Sequence, residues 1–443
     1  MKHLKKTDLE IYKLIQEEEK RQQNTLQMIP SENTASKAVE EAMGSVFGNK
    51  YGEGYPEKRY YQGNKVIDKL ESMVIERAKK VYGVPAANVQ ALSGSPANFA
   101  VYTALLSPGD TLMGLSLASG GHLTHGAAFN ASSRYFRAVN YDTDKNGMID
   151  YEEVRKIAKK EKPKIIIAST TAYARILDWK KFAEIAEEVG AYLMADISHI
   201  SGLIVGEVYP SPVDYAHVIT TTTHKSLRGP RAALILSTEK GLKKDPDLAK
   251  KIDKAIIPGI QGGPHFNNIA AIGVALKEAS TAKYKKYAQQ VIANAKTLAQ
   301  ELQKYDFKLV TGGTDSHLLL VDLRNKGLMG NTVAEALDAV GIVLNRNGVP
   351  QDPNPPFFPS GIRMGTPGIT SRKLEEKEMK LIAKWIDEVT KAVAETKELL
   401  KVTAEEEKKK SVRKNIIEKT KKLKAIKKEV LALCKKFPLP TEY

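Results

Sequence analysis

A repeated alternation between helical patterns and short apolar runs, from about residue 66 to about residue 270, constrains the fold of this chain most strongly. The apolar runs are TLMGLSL, KIIIAS, AYLMADIS, HVITTTT and AALILS, and each is short enough to form one strand. Strands that alternate with helices are typical of a parallel sheet whose crossover connections are helical. We therefore predict an α/β fold with a mostly parallel sheet between helices.

The same pattern divides the chain into three predicted parts. Residues 1–65 contain an N-terminal helix and an arm rich in Gly and Tyr, residues 66–275 form a large domain, and residues 276–443 form a smaller C-terminal α/β domain. The basic tail predicts a docked amphipathic helix because its apolar residues recur at helical spacing. These residues are Val412, Ile416, Leu423, Ile426, Val430, Leu433 and Phe437.

Composition excludes several classes of protein. Cys434 is the single cysteine, which rules out an internal disulfide or a cysteine-based metal cluster and fits a reducing cytoplasm. No apolar run approaches the roughly 20 residues of a membrane helix, so we expect a soluble cytoplasmic protein without a membrane partner. The net charge of +16 lies largely in the tail, which lacks interleaved aromatics to stack bases, so we expect no nucleic-acid partner.

One segment matches a calcium-binding loop. DTDKNGMIDYEE, from Asp142 to Glu153, fits the EF-hand pattern in full and supports a calcium-binding protein as an alternative from another class. However, an EF-hand needs a helix on each side, whereas the preceding SRYFRAVNY is typical of a strand. We predict a strand-to-helix turn here. A zinc site at His122 and His125 would lack further ligands, so no metal site is expected.

Four polar features, in chain order, carry chemistry. Gly94 and Ser95 precede a helical pattern, with Ser95 as the expected N-cap, and could cradle a phosphate. Asp196 ends an apolar run and is either a satisfied structural group or the partner of a protonated ring nitrogen. Lys225 lies in a short polar loop between two apolar runs, where a partly desolvated lysine can form a Schiff base. Arg363 could hold a substrate carboxylate bidentately. Together they predict a pyridoxal phosphate (PLP) enzyme that acts on amino acids.

The segment TTTTHKSLRGPR around Lys225 resembles the PLP-lysine motif of the serine hydroxymethyltransferase family, and the similarity extends almost end to end. The other matching segments are SEN at 31–33, YGEGYPEKRYYQG at 51–63, SGSPANFAVYTALL at 93–106, GGHLTHG at 120–126, ADISHISGL at 195–203, PGIQGGP at 258–264, GGTDSHLLLVDLR at 312–324 and SGIRMGTP at 360–367. The resemblance implies a PLP-dependent transferase of fold type I that works as a homodimer with shared active sites or as a pair of such dimers, and the short loop around residues 348–362 favours the dimer.

The resemblance also implies an activity in one-carbon metabolism and glycine biosynthesis. Such an enzyme transfers the hydroxymethyl carbon of L-serine reversibly to tetrahydrofolate, giving glycine and 5,10-methylenetetrahydrofolate. The nearest rival is a threonine aldolase or an aminotransferase of the same fold. The tyrosine-rich arm around Glu53 and the loop NRNGVPQDPNPPF favour the folate enzyme, because a simple transaminase has no use for them.

The resemblance implies cofactor contacts residue by residue. Lys225 carries PLP, Asp196 pairs with the ring nitrogen, His122 stacks on the ring, and His199 contacts its O3′ side. Gly94 and Ser95 hold the phosphate with backbone from the partner subunit. The remaining expected cofactor residues are Gly262, Gly263, Tyr51 and Thr171, the last of which stands where a serine is more familiar.

The resemblance implies substrate contacts as well. Arg363 and Ser31 hold the substrate carboxylate. Glu53 acts as the acid-base group near the serine hydroxyl and the folate, although a salt bridge to Arg59 is the alternative role for this carboxylate. His224 adjusts the properties of Lys225. The tyrosines beside Glu53 at the subunit interface are Tyr51, Tyr60 and Tyr61, and the folate side is lined by Leu117, Gly121, His122, Asn347, Pro355, Pro356 and Phe357.

Overall fold

The computed structural model describes residues 1–169 and 171–440 of the chain. Its strands, in chain order, are β1 Leu26–Gln27, β2 Gly54–Tyr55, β3 Lys58–Arg59, β4 Ala86–Asn88, β5 Thr111–Leu115, β6 Arg137–Tyr141, β7 Ile165–Ser169, β8 Tyr192–Asp196, β9 Val218–Thr222, β10 Ala233–Ser237, β11 Lys308–Leu309, β12 Leu318–Asp322, β13 Ile342–Val343, β14 Asn345–Asn347 and β15 Gly361–Gly365.

The α-helices are α1 Lys2–Thr7, α2 Leu9–Gln23, α3 Lys37–Met43, α4 Lys65–Tyr82, α5 Gly94–Leu105, α6 Ala131–Tyr135, α7 Tyr151–Glu161, α8 Trp179–Glu188, α9 Ser201–Val205, α10 Glu239–Lys244, α11 Leu248–Lys254, α12 Phe266–Ala279, α13 Ala282–Lys304, α14 Gly330–Val340, α15 Pro367–Ser371, α16 Glu376–Leu399, α17 Ala404–Glu407, α18 Lys410–Lys419 and α19 Leu423–Lys436. Within the described part of the chain, no helix is long and apolar enough to cross a membrane.

The large sheet has seven strands in the order β4-β10-β9-β8-β7-β5-β6. The five strands from β9 to β6 run parallel to one another, which confirms the predicted mostly parallel sheet. β10 is antiparallel to both β9 and β4, so the run AALILS differs from the parallel direction expected for it. Residues 223–232, which connect β9 to β10, are too few for the helical crossover that a parallel return needs.

Both faces of this sheet are covered by helices. Alternate side chains of β7 enter different buried clusters: Ile166 packs in the cluster that contains Phe182 of α8, whereas Ile165 and Ile167 pack in the cluster that contains Val101 of α5. This alternation follows from the two-residue period of a strand. The continuous apolar runs of the sequence are therefore explained by burial on two sides.

A second body forms around the antiparallel sheet β11-β12-β15-β14. Its core includes side chains from α13, α14, α16 and α19, and also Leu26 and Met28 from the predicted N-terminal arm. β1 pairs in parallel with β13, and the Leu26 amide donates to the Gly341 carbonyl at 2.8 Å. Helix α13 contributes Val291 to the core cluster of the large sheet that contains Phe182. It contributes Leu298 to the second core, which lies around the antiparallel sheet. The domain boundaries at residues 65 and 275 stay a prediction.

The segment from Asp142 to Glu153 connects a strand to a helix, as predicted. It follows β6, and Asp150 caps α7 by accepting the Glu152 amide at 2.9 Å. Asp144 accepts the Asn146 and Met148 amides, both at 2.8 Å. These carboxylates stabilise the turn itself.

The basic tail docks through its apolar residues, but it forms two helices and not one. α18 ends at Lys419 and α19 begins at Leu423. Ile416 from the first helix and Val430 from the second are fully buried in the second core. The predicted docking of an amphipathic segment is confirmed, but the prediction that it forms one helix is wrong.

Candidate active site

The predicted cofactor residues meet where two central strands end. Asp196 is the last residue of β8, and Lys225 lies in the loop that follows β9. In an open α/β sheet, ligands bind beyond the carboxyl ends of the strands. The order of the strands therefore brings together two residues that are distant in sequence.

The N-terminus of helix α5 lies at the same end of the sheet. It begins at Gly94 with Ser93 as its N-cap, so the helix starts earlier than the N-cap predicted at Ser95 would allow. A β-carbon at Gly94 would lie 2.7 Å from Cγ2 of Thr222, so only glycine lets the helix approach β9 this closely. The free amides at this helix end suit an anionic group.

Asp196 is buried, and both of its carboxylate oxygens accept hydrogen bonds. Its Oδ2 accepts from Asn98 Nδ2 at 3.0 Å and from His125 Nε2 at 3.1 Å. Its Oδ1 accepts from the amide of Ser198 at 3.1 Å and from its hydroxyl at 2.6 Å. Burial opposes ionisation, but the donors, led by His125, hold the pKa of Asp196 well below its usual value. The site therefore contains a buried carboxylate that stays ionised.

His125 and Asn98, which both bind Asp196, are candidate functional residues that sequence analysis does not identify. The imidazole Nδ1 of His125 lies 3.1 Å from Oγ of Ser169, and Oδ1 of Asn98 accepts from Oγ1 of Thr220 at 2.7 Å. Both side chains are thus oriented toward Asp196 by residues of neighbouring strands. The segment GGHLTHG contained the signal for His125, but its histidines were considered together only as zinc ligands.

Lys225 is half-buried in a loop that is tied to the end of β8. Ser226 accepts from the Gly202 amide and donates to the His199 carbonyl, both at 3.0 Å, and Asn33 donates to the Lys225 carbonyl at 3.0 Å. Burial lowers the pKa of Lys225 to about 8, against the attraction of Asp196 and with the help of nearby arginines. The amine is therefore more nucleophilic near neutral pH than an exposed lysine.

His199 lies beside Lys225 and is buried. Its ring is stacked on that of His317, with centroids 5.7 Å apart and an interplanar angle of 18°. Burial, and then the charge of Lys225, hold the pKa of His199 well below its usual value. Its Nδ1 makes no hydrogen bond to any residue that the structure describes. A neutral imidazole with a spare nitrogen matches the predicted contact to a polar group of the cofactor.

Arg363 lies on β15 of the second body and reaches toward the first. Its Nη1 donates to the Thr171 carbonyl at 2.6 Å and its Nε to Oδ1 of Asn345 at 3.2 Å. Burial lowers its pKa to about 10, so it stays cationic at neutral pH. The backbone carbonyl of Thr171 orients this guanidinium, and the predicted contact of Thr171 with the cofactor ring stays a prediction.

Ser31 follows a segment that packs on the end of β15. The Gly365 amide donates to the Met28 carbonyl at 2.7 Å, and Ser31 lines a groove with His224 and Arg231. Burial, and then the charge of Lys225, lower the pKa of His224 to about 3. His224 is therefore neutral, in keeping with the expectation that it adjusts Lys225 without acting as a base.

His122 is half-buried next to the Asp196 cluster, and Leu117 and Gly121 precede it. Its Nδ1 lies 2.9 Å from Oγ1 of Thr124, and burial lowers its pKa to about 4. A β-carbon at Gly121 would lie 1.9 Å from the Leu115 carbonyl oxygen. Glycine is thus required where the chain turns from β5 toward His122.

The predicted folate residues lie on two loops that approach each other. Ala118 and Ser119, next to Leu117, line one small cavity with Pro350, which precedes the Pro355–Phe357 segment. Leu117 is 42% exposed and Phe357 is 75% exposed. Asn347 lies on β14 on the same face as Arg363, because the latter pairs directly with Asn345. These residues are accessible to a ligand between the loops.

Glu53 lies in a cluster with the arm tyrosines. Its Oε1 accepts from the Tyr51 hydroxyl at 3.1 Å and its Oε2 from the Tyr61 hydroxyl at 3.3 Å. The charge of Glu53 raises the pKa of Tyr61, so this hydroxyl keeps its proton. Tyr60 is 72% exposed beside them.

The Gly262–Gly263 loop packs on the same cluster. A β-carbon at Gly262 would lie 3.4 Å from Oε1 of Glu53, and one at Gly263 would lie 2.8 Å from the Tyr51 ring. The two glycines and the tyrosine-rich arm therefore form one unit of this chain. The alternative role for Glu53, a salt bridge to Arg59, is wrong. Arg59 instead pairs with Asp68 at 2.9 Å and with Glu71 at 2.5 Å.

These residues fit PLP. The cofactor needs an amine, an anionic partner for its ring nitrogen, a partner for its hydroxyl and a phosphate cradle. Lys225, ionised Asp196, the spare nitrogen of His199 and the α5 terminus at Gly94 offer those groups at one end of the sheet. Among the described residues, no group of three or more His, Cys, Asp and Glu side chains is arranged to hold a metal ion.

Comparison with known proteins identifies the family of this chain. The family model described as serine hydroxymethyltransferase matches residues 4–386. A serine hydroxymethyltransferase of Acidothermus cellulolyticus is 56% identical over 389 residues, which cover 88% of this chain and 90% of the relative. One from Desulfotalea psychrophila is 52% identical over 440 residues, covering 99% of this chain and 96% of the relative. The chain belongs to the serine hydroxymethyltransferase family.

Proposed function

We propose that this chain transfers the hydroxymethyl carbon of L-serine to tetrahydrofolate and forms glycine and 5,10-methylenetetrahydrofolate, with Lys225 as the residue that carries PLP. The observation that supports this most directly is that one end of the sheet holds both an amine that loses its proton easily and a carboxylate that stays ionised. Lys225 has a pKa lowered to about 8, while Asp196 is buried and stays ionised. Such a pairing is typical of functional sites.

When bound, PLP supplies an electron-withdrawing ring that makes the bonds at the α-carbon of an attached amino acid labile. Lys225 would hold it covalently, Asp196 would keep a proton at its ring nitrogen, and His122 would stack on the ring. Gly94 and Ser95 would hold its phosphate through the α5 terminus. His199, whose Nδ1 is without a partner among the described residues, would contact its hydroxyl side.

Arg363 would bind the carboxylate of serine or glycine. Its orientation is already set by the Thr171 carbonyl and by Asn345, so little rotamer entropy is lost when the substrate arrives. Ser31, which is half-buried in the neighbouring groove, would add a hydroxyl contact. A carboxylate fixed in this way sets the direction of the substrate side chain.

Glu53 would move a proton at the serine hydroxyl or at the folate. Both of its oxygens accept hydrogen bonds from Tyr51 and Tyr61, and these contacts hold the carboxylate in place. We propose that this unit, with Gly262 and Gly263, serves the active site of a second copy in a homodimer. Leu117, Asn347 and the Pro355–Phe357 segment would line the folate side.

Visible absorption of the purified protein tests this function. We expect a yellow protein that develops a strong new band at longer wavelength when glycine and tetrahydrofolate are both present. Lys225→Gln should abolish covalent attachment of PLP, as shown by borohydride reduction and mass spectrometry. A yellow protein indifferent to folate would favour an aldolase or aminotransferase. PLP fixed by borohydride to the Lys225→Gln protein would contradict the assignment of this lysine.

We also propose a cytoplasmic location and the predicted division at residues 65 and 275. The thiol of Cys434 is free and buried, which suits a reducing compartment. Two separate hydrophobic cores, which share helix α13, support a large and a small domain.

A further inference from the structure

Arg59 is a buried cation between two exposed neighbours. Its side chain is 3% exposed, whereas its neighbours Lys58 and Tyr60 are exposed. Burying a guanidinium is costly unless every part of it is paired. The contacts of Arg59 therefore indicate what it holds in place.

One nitrogen of Arg59 binds the backbone on both sides of Glu53. Nη1 donates to the Gly52 carbonyl at 3.2 Å and to the Gly54 carbonyl at 2.7 Å. These are the carbonyls on either side of the residue that carries the proposed proton-transfer group. Gly54 has φ of +94°, and a β-carbon there would lie 2.3 Å from the Lys58 carbonyl oxygen. The backbone at Glu53 is thus held in one conformation.

The other two nitrogens of Arg59 bind carboxylates of helix α4 and so connect the Glu53 backbone to that helix. Nε donates to Asp68 at 2.9 Å and Nη2 to Glu71 at 2.5 Å, both on helix α4. Gln90 donates to the Glu71 carboxylate at 2.6 Å and to the Gly54 carbonyl at 3.0 Å. The guanidinium also lies over the Phe266 ring, 5.3 Å from its centroid, at the start of α12.

We propose that Arg59 is the positioning residue of the folate-dependent step: through Gly52 and Gly54 it fixes the backbone of Glu53 against helices α4 and α12. This inference rests on the proposed function, with Glu53 moving its proton at the folate. Arg59 acts through Glu53 and touches neither the Lys225 loop nor Asp196 among the described contacts. A planar fork is needed because a lysine could not reach two carboxylates and two carbonyls together.

The experiment compares Arg59→Met, Arg59→Lys and the control Lys58→Met, which removes an exposed charge from the same hairpin. Each purified holoenzyme is assayed for folate-dependent cleavage of serine and for folate-independent cleavage of 3-phenylserine. For Arg59→Met we expect kcat of the folate-dependent reaction to fall about a hundredfold, the size of a lost acid-base contribution. Folate-independent cleavage and the visible spectrum should change by less than about threefold.

Arg59→Lys should retain the fold through its charge opposite Glu71 and show an intermediate loss, which keeps the test decisive if Arg59→Met does not fold. Lys58→Met should match the unmodified enzyme. Equal losses of both activities in the Arg59 variants, or no loss in either, would overturn the inference. If the unmodified enzyme itself shows no folate dependence, the proposed function fails and not only this positioning role.

Discussion

Asp196 keeps its charge because its neighbours supply donors to both carboxylate oxygens. His125 is the first of these neighbours in its effect on the pKa of Asp196, apart from burial itself. The contact joins Nε2 of His125 to Oδ2 of Asp196 at 3.1 Å in a buried environment. A cofactor with a protonated ring nitrogen thus depends on a residue that need not touch it.

His125→Leu should weaken PLP binding about tenfold, because loss of a charge-assisted hydrogen bond costs about 1.5 kcal/mol or more. Fluorescence titration of the apoprotein with PLP measures the dissociation constant. His217→Leu is the matched control, since His217 is also buried and belongs to the same sheet region but contacts Leu193 and not Asp196. Equal weakening in both variants would show that the loss is general.

Reconstitution of the apoprotein should depend on the pKa of Lys225. That pKa is lowered from 10.5 to about 8, so the reactive uncharged amine increases as pH rises and is nearly complete above that value. The rate of PLP attachment should therefore rise about tenfold per pH unit below about pH 8 and level off above it. Stopped-flow absorbance gives the profile. A rate that keeps rising toward the ordinary lysine pKa would contradict this prediction.

Asp196 and Lys225 could be predicted from sequence because each ends or follows a recognisable apolar run, and Arg363 because it lies in the family-like segment SGIRMGTP. His125 and Asn98 could not, because their role arises only when β5, β7 and α5 bring them around Asp196. The sequence also could not predict which carboxylate pairs with Arg59, because Asp68, Glu71 and Glu53 are all close to it along the chain. Tertiary neighbours decide which carboxylate a buried cation meets.

At the scale of elements, Arg372 holds the ends of two distant helices. Its guanidinium donates to the carbonyls of Gln22 and Gln23 at the end of α2, at 3.1 and 2.9 Å. It also donates to the carbonyls of Cys434 and Phe437 at the end of α19, both at 2.8 Å. The last carbonyls of a helix lack internal donors, and a cation there also suits the helix dipole.

Arg372→Met should lower the free energy of unfolding by on the order of 3 kcal/mol, because four or more carbonyls lose a charged donor in a buried place. Urea unfolding followed by circular dichroism measures the loss. Lys373→Met, which removes the exposed neighbouring charge, should be close to neutral. A loss as large in Lys373→Met would indicate a general charge effect.

The apolar runs predicted the central strands well, since burial on both faces leaves a continuous signal. The apolar runs alone do not show that β10 returns antiparallel beside β9, which only the short connection 223–232 indicates, nor that the tail breaks between Lys419 and Leu423. Local periodicity is the same in a parallel strand and an antiparallel one. It also continues through a short break when both helices dock on the same core.

At the scale of the molecule, exposed large apolar side chains gather in the first part of the chain. Val46 is 79% exposed, Tyr60 72% and Leu14 59%. Concentrated apolar exposure marks an interaction surface, and along the sequence it flanks Glu53, whose cluster we propose to serve a second copy.

Val46→Asp should raise the dimer dissociation constant at least about tenfold, because an unpaired charge would be buried at that surface. Analytical ultracentrifugation measures it, and folate-dependent activity should become dependent on protein concentration. Leu399→Asp is the control, since Leu399 is 83% exposed at the end of α16. An unchanged dimer in Val46→Asp would place the interface elsewhere.

The pairing of β1 with β13 has a consequence for synthesis on the ribosome. Residues 28–341 separate Leu26–Gln27 from Ile342–Val343 along the chain. At about 5–20 residues per second, translation of that stretch takes on the order of half a minute. During this time β1 has no β13 with which to pair, although its residues are among the first made. The start of the chain is therefore one of the last parts to reach its place, and a nascent-chain chaperone has that interval in which to protect it.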